Sequence, residues 1–222
     1  MIKALYKSLG EQVFTILRKK IDDNELQPGT ILQIDRLAEE FGVSTTPIRE
    51  ALMKLEALGL VTISPNRRAT VSPISREQTR EVLEFRRMLE SAGARSAAKK
   101  LSDRDIDYLI TRVQSVQAAP SDVPHHIEVD MELHDKYLFG CIENGFVRKA
   151  LEDLQVHLRR IRFYAEEALD PVKVITSVCE EHMIILNALK SRNETAAELG
   201  MYGHLTQTLV RTLLSMDKKE NF

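Results

Sequence analysis

Residues 35–59 read DRLAEEFGVSTTPIREALMKLEALG, and the fold of the N-terminal half turns on this stretch. Asp35 is placed to cap a short helix over Arg36–Phe41, and Gly42 permits the sharp turn that ends it. Ser44 is placed to cap the next helix. Pro47 falls in its first turn, where a missing N–H costs no helical hydrogen bond. Ile48, Leu52, Leu55 and Leu58 form an apolar stripe up to the stop at Gly59. A short supporting helix, a tight turn and a longer helix opening on hydroxyl side chains is the plan that sets a helix in the major groove of DNA.

Toward the N-terminus, Leu9, Val13, Ile16, Leu17 and Ile21 recur at three- and four-residue intervals, which predicts a helix from Ser8 to about Asp23. Asn24 tolerates a left-handed helix end, and Gln27-Pro28-Gly29-Thr30 breaks the chain before a short extended Ile31-Leu32. Toward the C-terminus, residues 60–63, a turn over Ser64–Arg68 and residues 69–72 read as a β-hairpin. Residues 1–74 are therefore expected to form a winged helix-turn-helix of three helices plus a β-hairpin. After Pro73 the pattern is helical throughout. Ser75 with Gln78 opens a long helix through Leu83, Leu89 and Ala97, and Ser102 with Asp105 opens another. Further helices are expected near 122–143, 145–168, 171–190 and 193–216, broken at Pro120, Pro124, Asn144-Gly145, Asp170-Pro171 and Asn193. The fold class is mainly α, with residues 75–222 forming an all-α bundle of about six helices.

With 222 residues, 43% of them hydrophobic and 29% charged, the chain has enough apolar material for two modest domains and is not of disordered composition. No apolar run reaches the ~18 residues of a membrane span, and the first residues lack the apolar core of a secretory signal; a cytoplasmic protein without membrane attachment is expected. Cys141 and Cys179 sit singly at apolar helical positions, as small buried hydrophobes. The net charge of −2 does not advertise a nucleic-acid binder. Nor do the halves differ much, since residues 1–74 carry 10 Lys+Arg against 9 Asp+Glu. DNA binding must rest on placement instead.

That placement is favourable. Ser44, Thr45 and Thr46 sit at the opening of the third helix, where exposed amides attract phosphate, and Arg49 follows about one turn later. Arg36 and the wing-tip pair Arg67-Arg68 add phosphate-neutralising charge. Taken singly, Ser44 serves equally as a cap, and an isolated surface arginine is a solvated one. Over residues 26–32 (LQPGTIL), 37–52 (LAEEFGVSTTPIREAL) and 55–61 (LEALGLV) the sequence resembles the GntR family of bacterial regulators. The resemblance implies that these residues form an operator-binding winged helix. Its base and phosphate contacts would come from Arg49, the residues after Ser44, the start of helix two and the wing. Thr45 stands where many members carry Arg, and the wing tip lacks the usual Gly, so base preference is not carried over.

In the helical half, polar residues interrupt apolar stripes. Asp130 and His134 are four apart and share a face with Ile127, Leu138 and Cys141. His182 continues the stripe of Ile175, Val178, Cys179, Ile185 and Leu189, and His204 lies in line with Ala197 and Met201. Each histidine alone is explained by a hydrogen bond to a neighbour, whereas the set of four also suits a shared divalent cation. Three imidazoles and a carboxylate fit zinc first, and equally admit nickel, manganese or iron, with positions left open for a ligand. His125, His126 and His157 read as surface residues.

Residues 75–217 resemble the helical ligand-binding domain of the FadR subfamily, through Arg86–Glu90, Asp130-x-x-x-His134, Asn144, Glu181-His182 followed by Ala188-Leu189, and a late His204. The resemblance implies Asp130, His134, His182 and His204 as metal ligands and an organic acid as effector. Arg86, between Val82 and Leu89, and Arg162, between Leu158 and Ala165, are candidates to clamp its carboxylate, ahead of Arg159; each could instead serve a surface salt bridge. The expected assembly is a homodimer, in which an acid bound beside the metal modulates affinity for a double-stranded operator, with repression the family habit. Two alternatives keep the cluster: a metal-dependent enzyme, for which no HExxH, nucleophile elbow or obvious general base is present beyond Glu181, and a regulator whose metal is purely structural.

Overall fold

The computed structural model describes residues 8–64, 68–165 and 169–220, and the chain divides between Ser75 and Arg76 into two compact units. In the first unit, α1 (Leu9–Asp22) is capped by Ser8, whose hydroxyl accepts from the Glu11 N–H at 3.2 Å. Val13, Leu17 and Ile21, four residues apart, are buried where α1 packs on α3 (Thr45–Ala57), whose Ile48, Leu52 and Leu55 are likewise buried. Asn24 takes the left-handed conformation expected of it, with φ 59°.

Helix α2 spans Ile34–Phe41, beginning two residues earlier than a cap at Asp35 would dictate. The cap is Gln33, in extended conformation and without a side-chain bond, because the helix begins where strand β1 (Ile31–Leu32) ends. Asp35 lies instead in the first turn, where the helix dipole favours a carboxylate. Gly42, at φ 63°, closes the helix as its turn requires. Strands β2 (Val61–Ile63) and β3 (Ala69–Val71) form the expected hairpin with Thr62 opposite Thr70. Strand β1 adds on the other side of β3, Ile31 opposite Thr70, giving an antiparallel sheet ordered β1-β3-β2.

The second unit holds α4 (Arg76–Lys100), α5 (Asp103–Ala118), α6 (Val123–Met131), α7 (Gly145–Ala165), α8 (Pro171–Lys190) and α9 (Glu194–Glu220). Among the described residues it is thus six-helical, as the punctuation predicts. Ser102 caps α5, accepting from the Asp105 N–H at 3.1 Å, and Asp170 caps α8. Helices α4 and α9 run antiparallel, tied by Arg76 to Asp217 at 2.8 Å and by Arg95 to Glu198 at 2.8 Å. Beyond Met131, α6 continues as a π-helical stretch, Glu132–Leu138, in which the Phe139 N–H donates to the His134 carbonyl five residues back. The core between the helices is built from Ala94, Ala97, Leu109, Leu133, Leu186 and Met201, among others. No helix among the described residues is long and apolar enough to cross a membrane.

Candidate DNA-reading face and candidate metal centre

On α3 the apolar stripe is turned inward, which leaves Thr46, Arg49 and Met53 on the opposite, exposed face and Thr45 half-buried. Ser44 occupies the cap position, yet its side chain makes no capping bond, so an exposed hydroxyl remains for a partner outside the chain. The basic residues of this unit fall into two sets. Lys20 is paired with Glu40 and Lys54 with Glu11, while Lys19 is bonded to Asp23 and Arg18 lies near Asp22. Arg36, Arg49 and Arg68, all exposed, have no ion-pair partner among the described residues. These are three of the four arginines singled out from the sequence for DNA contact. The fourth, Arg67, lies outside the described residues. Cations left unneutralised at the start of α2, on α3 and at the wing are what a phosphate backbone requires.

The second unit collects Asp130 and His134 from α6 and its π-helical extension, His182 from α8 and His204 from α9. One ligand atom from each lies within 4.8 Å of all the others. His134 Nε2 is 3.3 Å from His182 Nε2, and Asp130 Oδ1 is 3.7 and 3.6 Å from those two nitrogens. The three imidazoles are 2–3% exposed.

Behind this cluster stand carboxylates that the sequence did not assign to it. His134 Nδ1 donates to Glu90 at 2.6 Å, and His204 Nδ1 donates to Glu181 at 2.7 Å. Each bond fixes the ring so that Nε2 presents its lone pair, the arrangement that orients histidine toward a metal. Arginines in turn hold these acids. Arg86 donates to Glu90 at 2.6 Å, Arg211 binds both oxygens of Glu181 at 2.6 and 2.9 Å, and Arg162 donates to Asp130 at 2.6 Å. The i,i+4 spacing of Arg86 and Glu90 and the seven-residue spacing of His204 and Arg211 were both available signals. Which acid faces which imidazole across helices was not.

Protonation suits the same purpose. Burial acts against charge on Asp130, but Arg162 and then His134, His182 and Arg86 outweigh it and hold the carboxyl well below its usual range. Glu90 is brought down to about 2, against its burial, by Arg86 and His134. His182 is pushed well below the histidine range by burial and by His204 and His134; burial also lowers His204, against its bond to Glu181. The neutral imidazoles favoured at His182 and His204 and the ionised carboxylate of Asp130 need lose no proton to take a cation. The donor set therefore fits a divalent metal held by Asp130, His134, His182 and His204.

A cavity of about 300 Å³ adjoins the cluster, sharing Asp130 and His204 with it. Arg86, Arg159, Arg162 and Arg211 line it as well. His126, read from sequence as a surface residue, is half-buried on the same wall, and burial lowers its pKa. His125 and His157 are also half-buried rather than surface-lying. Arg86 and Arg162 are both in the cavity as expected of acid clamps, though each already holds a carboxylate of the protein.

A winged helix with unneutralised arginines, followed in one chain by a helical unit with a buried His/Asp cluster, defines a DNA-binding regulator with an appended domain. Residues 9–71 match the bacterial regulatory proteins of the gntR family, and residues 81–207 match the FCD domain. The chain belongs to the GntR family of bacterial transcriptional regulators, in the FadR subfamily that carries the FCD domain. It is 28% identical over 201 residues to the HTH-type transcriptional repressor RspR of Escherichia coli K12, covering 90% of this chain and 86% of that one. It is also 28% identical over 231 residues to the HTH-type transcriptional regulator LutR of Bacillus subtilis 168, covering 90% and 99%. Among solved structures, E. coli McbR/YncC shares the fold with a TM-score of 0.70 at 24% identity, covering 93% of this chain and 98% of that one. These matches are to transcriptional regulators, not to enzymes.

Proposed function

We propose that this protein is a metal-containing, acid-responsive repressor: a homodimer that binds a double-stranded operator through α3 and the wing and releases it when an organic acid enters the cavity of the second unit. DNA contact falls to Arg36, Ser44, Thr45, Thr46, Arg49, Arg67 and Arg68. Asp130, His134, His182 and His204 hold the metal, zinc by donor preference, with nickel, manganese or iron accepted by the same ligands. Bound there, the metal supplies a positive charge and open coordination positions to a small acid. Arg86 and Arg162 lie beside the site as acid-binding candidates.

The observation carrying this reading is the shared wall: two members of the His/Asp cluster line the cavity along with four arginines. A regulator needs no more than a coupling of ~1–3 kcal/mol between acid and operator, which alters DNA affinity roughly 5–150-fold. Kinship with a relative named as a repressor supports the sign of regulation. The test is a thermal-shift screen of small carboxylates against metal-free and metal-loaded protein, followed by operator retention with each acid that binds. Stabilisation by an acid that requires metal and lowers operator affinity is the expected result. Operator affinity indifferent to every bound acid overturns the regulatory claim. A second reading, a metal that only braces the fold, is favoured by the burial of all three imidazoles. Under it, chelation melts the second unit and the acid response of protein that stays folded is unchanged.

A further inference from the structure

The arginines of the cavity are not equivalent. Arg86 is engaged with Glu90, Arg162 with Asp130 and Arg211 with Glu181, so each is committed to a carboxylate of the cluster or its supports. Asp135, the other acid on the wall, accepts from Gln155 at 2.6 Å. Arg159, on α7, lines the same cavity, is exposed, and has no carboxylate partner among the described residues. Arg86, Arg162 and Arg211 already use donors on a buried or partly buried carboxylate, and an incoming acid that drew one of them away would leave that carboxylate unpaired. Arg159 gives up no carboxylate among the described residues.

The rest of the lining decides what the acid is attached to. Val174, Ile175 and Val178 line it from α8 and Leu158 and Ile161 from α7, while Thr208, Thr212 and Ser215 bring hydroxyls to it from α9. Hydroxyl groups laid along the apolar α7 and α8 side would lose their water without gaining partners there, whereas methylenes would gain from leaving water. A volume of about 300 Å³ stands at the small end of the range for sites that enclose small molecules.

We propose that the cavity takes an amphipathic acid, with its anionic head on Arg159 and its hydrocarbon body along the apolar wall of α7 and α8. The proposal rests on the organic-acid reading above and specifies it: the recognised class is an alkyl or aryl carboxylate, not a polyhydroxylated one. On this proposal Arg86 and Arg162, the acid-binding candidates above, serve with Arg211 as positioning residues for the His/Asp cluster.

Calorimetric titration of the metal-loaded full chain with butanoate, hexanoate and octanoate, and with gluconate as the hydroxylated counterpart, tests it. Affinity is expected to rise roughly fourfold per added methylene. Arg159→Gln should weaken octanoate roughly tenfold or more while leaving metal content at the wild-type level, and Arg159→Lys should restore part of the loss. Octanoate binding that ignores Arg159→Gln overturns the anchor. Gluconate binding without alkanoate binding overturns the ligand class and leaves the organic-acid reading standing. If neither class binds at millimolar concentration, both fall.

Discussion

The two units place their functional polar groups in opposite ways. In the winged helix the interior is apolar, with Leu17, Ile48 and Leu55 fully buried, and the arginines proposed to contact DNA, Arg36, Arg49 and Arg68, are exposed with no ion-pair partner among the described residues. In the helical unit the interior itself is polar at its functional point: His134, His182, His204, Arg86 and Glu90 are all at most 7% exposed. A surface reader can be changed with little effect on the fold, because its residues give up only water. A buried site is continuous with the core, so changing it must alter stability and function together.

The sharpest way to break this contrast is Glu90→Ala. It removes the partner of buried Arg86 and the support of His134, and should cost the second unit about 3–5 kcal/mol in urea unfolding. It should also weaken metal uptake ~10–100-fold in a chelator competition. The pH dependence has a definite sign. Glu90 has a folded pKa of about 2 against an ordinary 4.5, so its contribution is full above the ordinary value and is lost as the pH falls toward about 2. For metal-free protein the lowered pKa of His182 acts earlier, because the unfolded chain takes up its proton first once the pH drops below ~6.5. The unfolding midpoint of the second unit should therefore decline in two stages on acidification.

Leu55→Ala tests the other side. Leu55 is fully buried on α3, and its truncation should cost the first unit about 2–5 kcal/mol, read in the same unfolding experiment, with metal content unchanged. Arg49→Ala should leave both stabilities within ~0.5 kcal/mol of wild type. It should lower operator affinity by about 1–3 kcal/mol in fluorescence anisotropy and relax base preference. The smallest effect belongs to Arg68→Ala, which should weaken all DNA sequences alike and reduce the slope of affinity against salt by about 1. A marked loss of folding stability on Arg49→Ala would end the contrast between the units.

Much of the first unit was legible because its punctuation is local. Asn24 and Gly42 announce left-handed turns by residue type, and the stripe of α3 needs only the helical period. Asp35 misled because a strand runs straight into α2, and the pairing of β1 with β3 joins residues almost forty apart. In the second unit the four members of the His/Asp cluster were visible as polar breaks in apolar stripes, and the pairing of Glu90 with His134 and of Glu181 with His204 was not, since an acid one helix away leaves no mark on the spacing of the histidine it holds. The π-helical stretch was equally hidden: a seven-residue run of side chains spaced for one helix type serves the other.

That stretch sets a price on regularity. Deleting Leu133 to restore ordinary helix there would swing His134 by ~100° relative to Asp130, and would also remove a fully buried core side chain. A helix straightened in that way would take His134 out of the His/Asp cluster. The irregular turn marks a place where backbone regularity and the geometry of the cluster pull the chain in different directions.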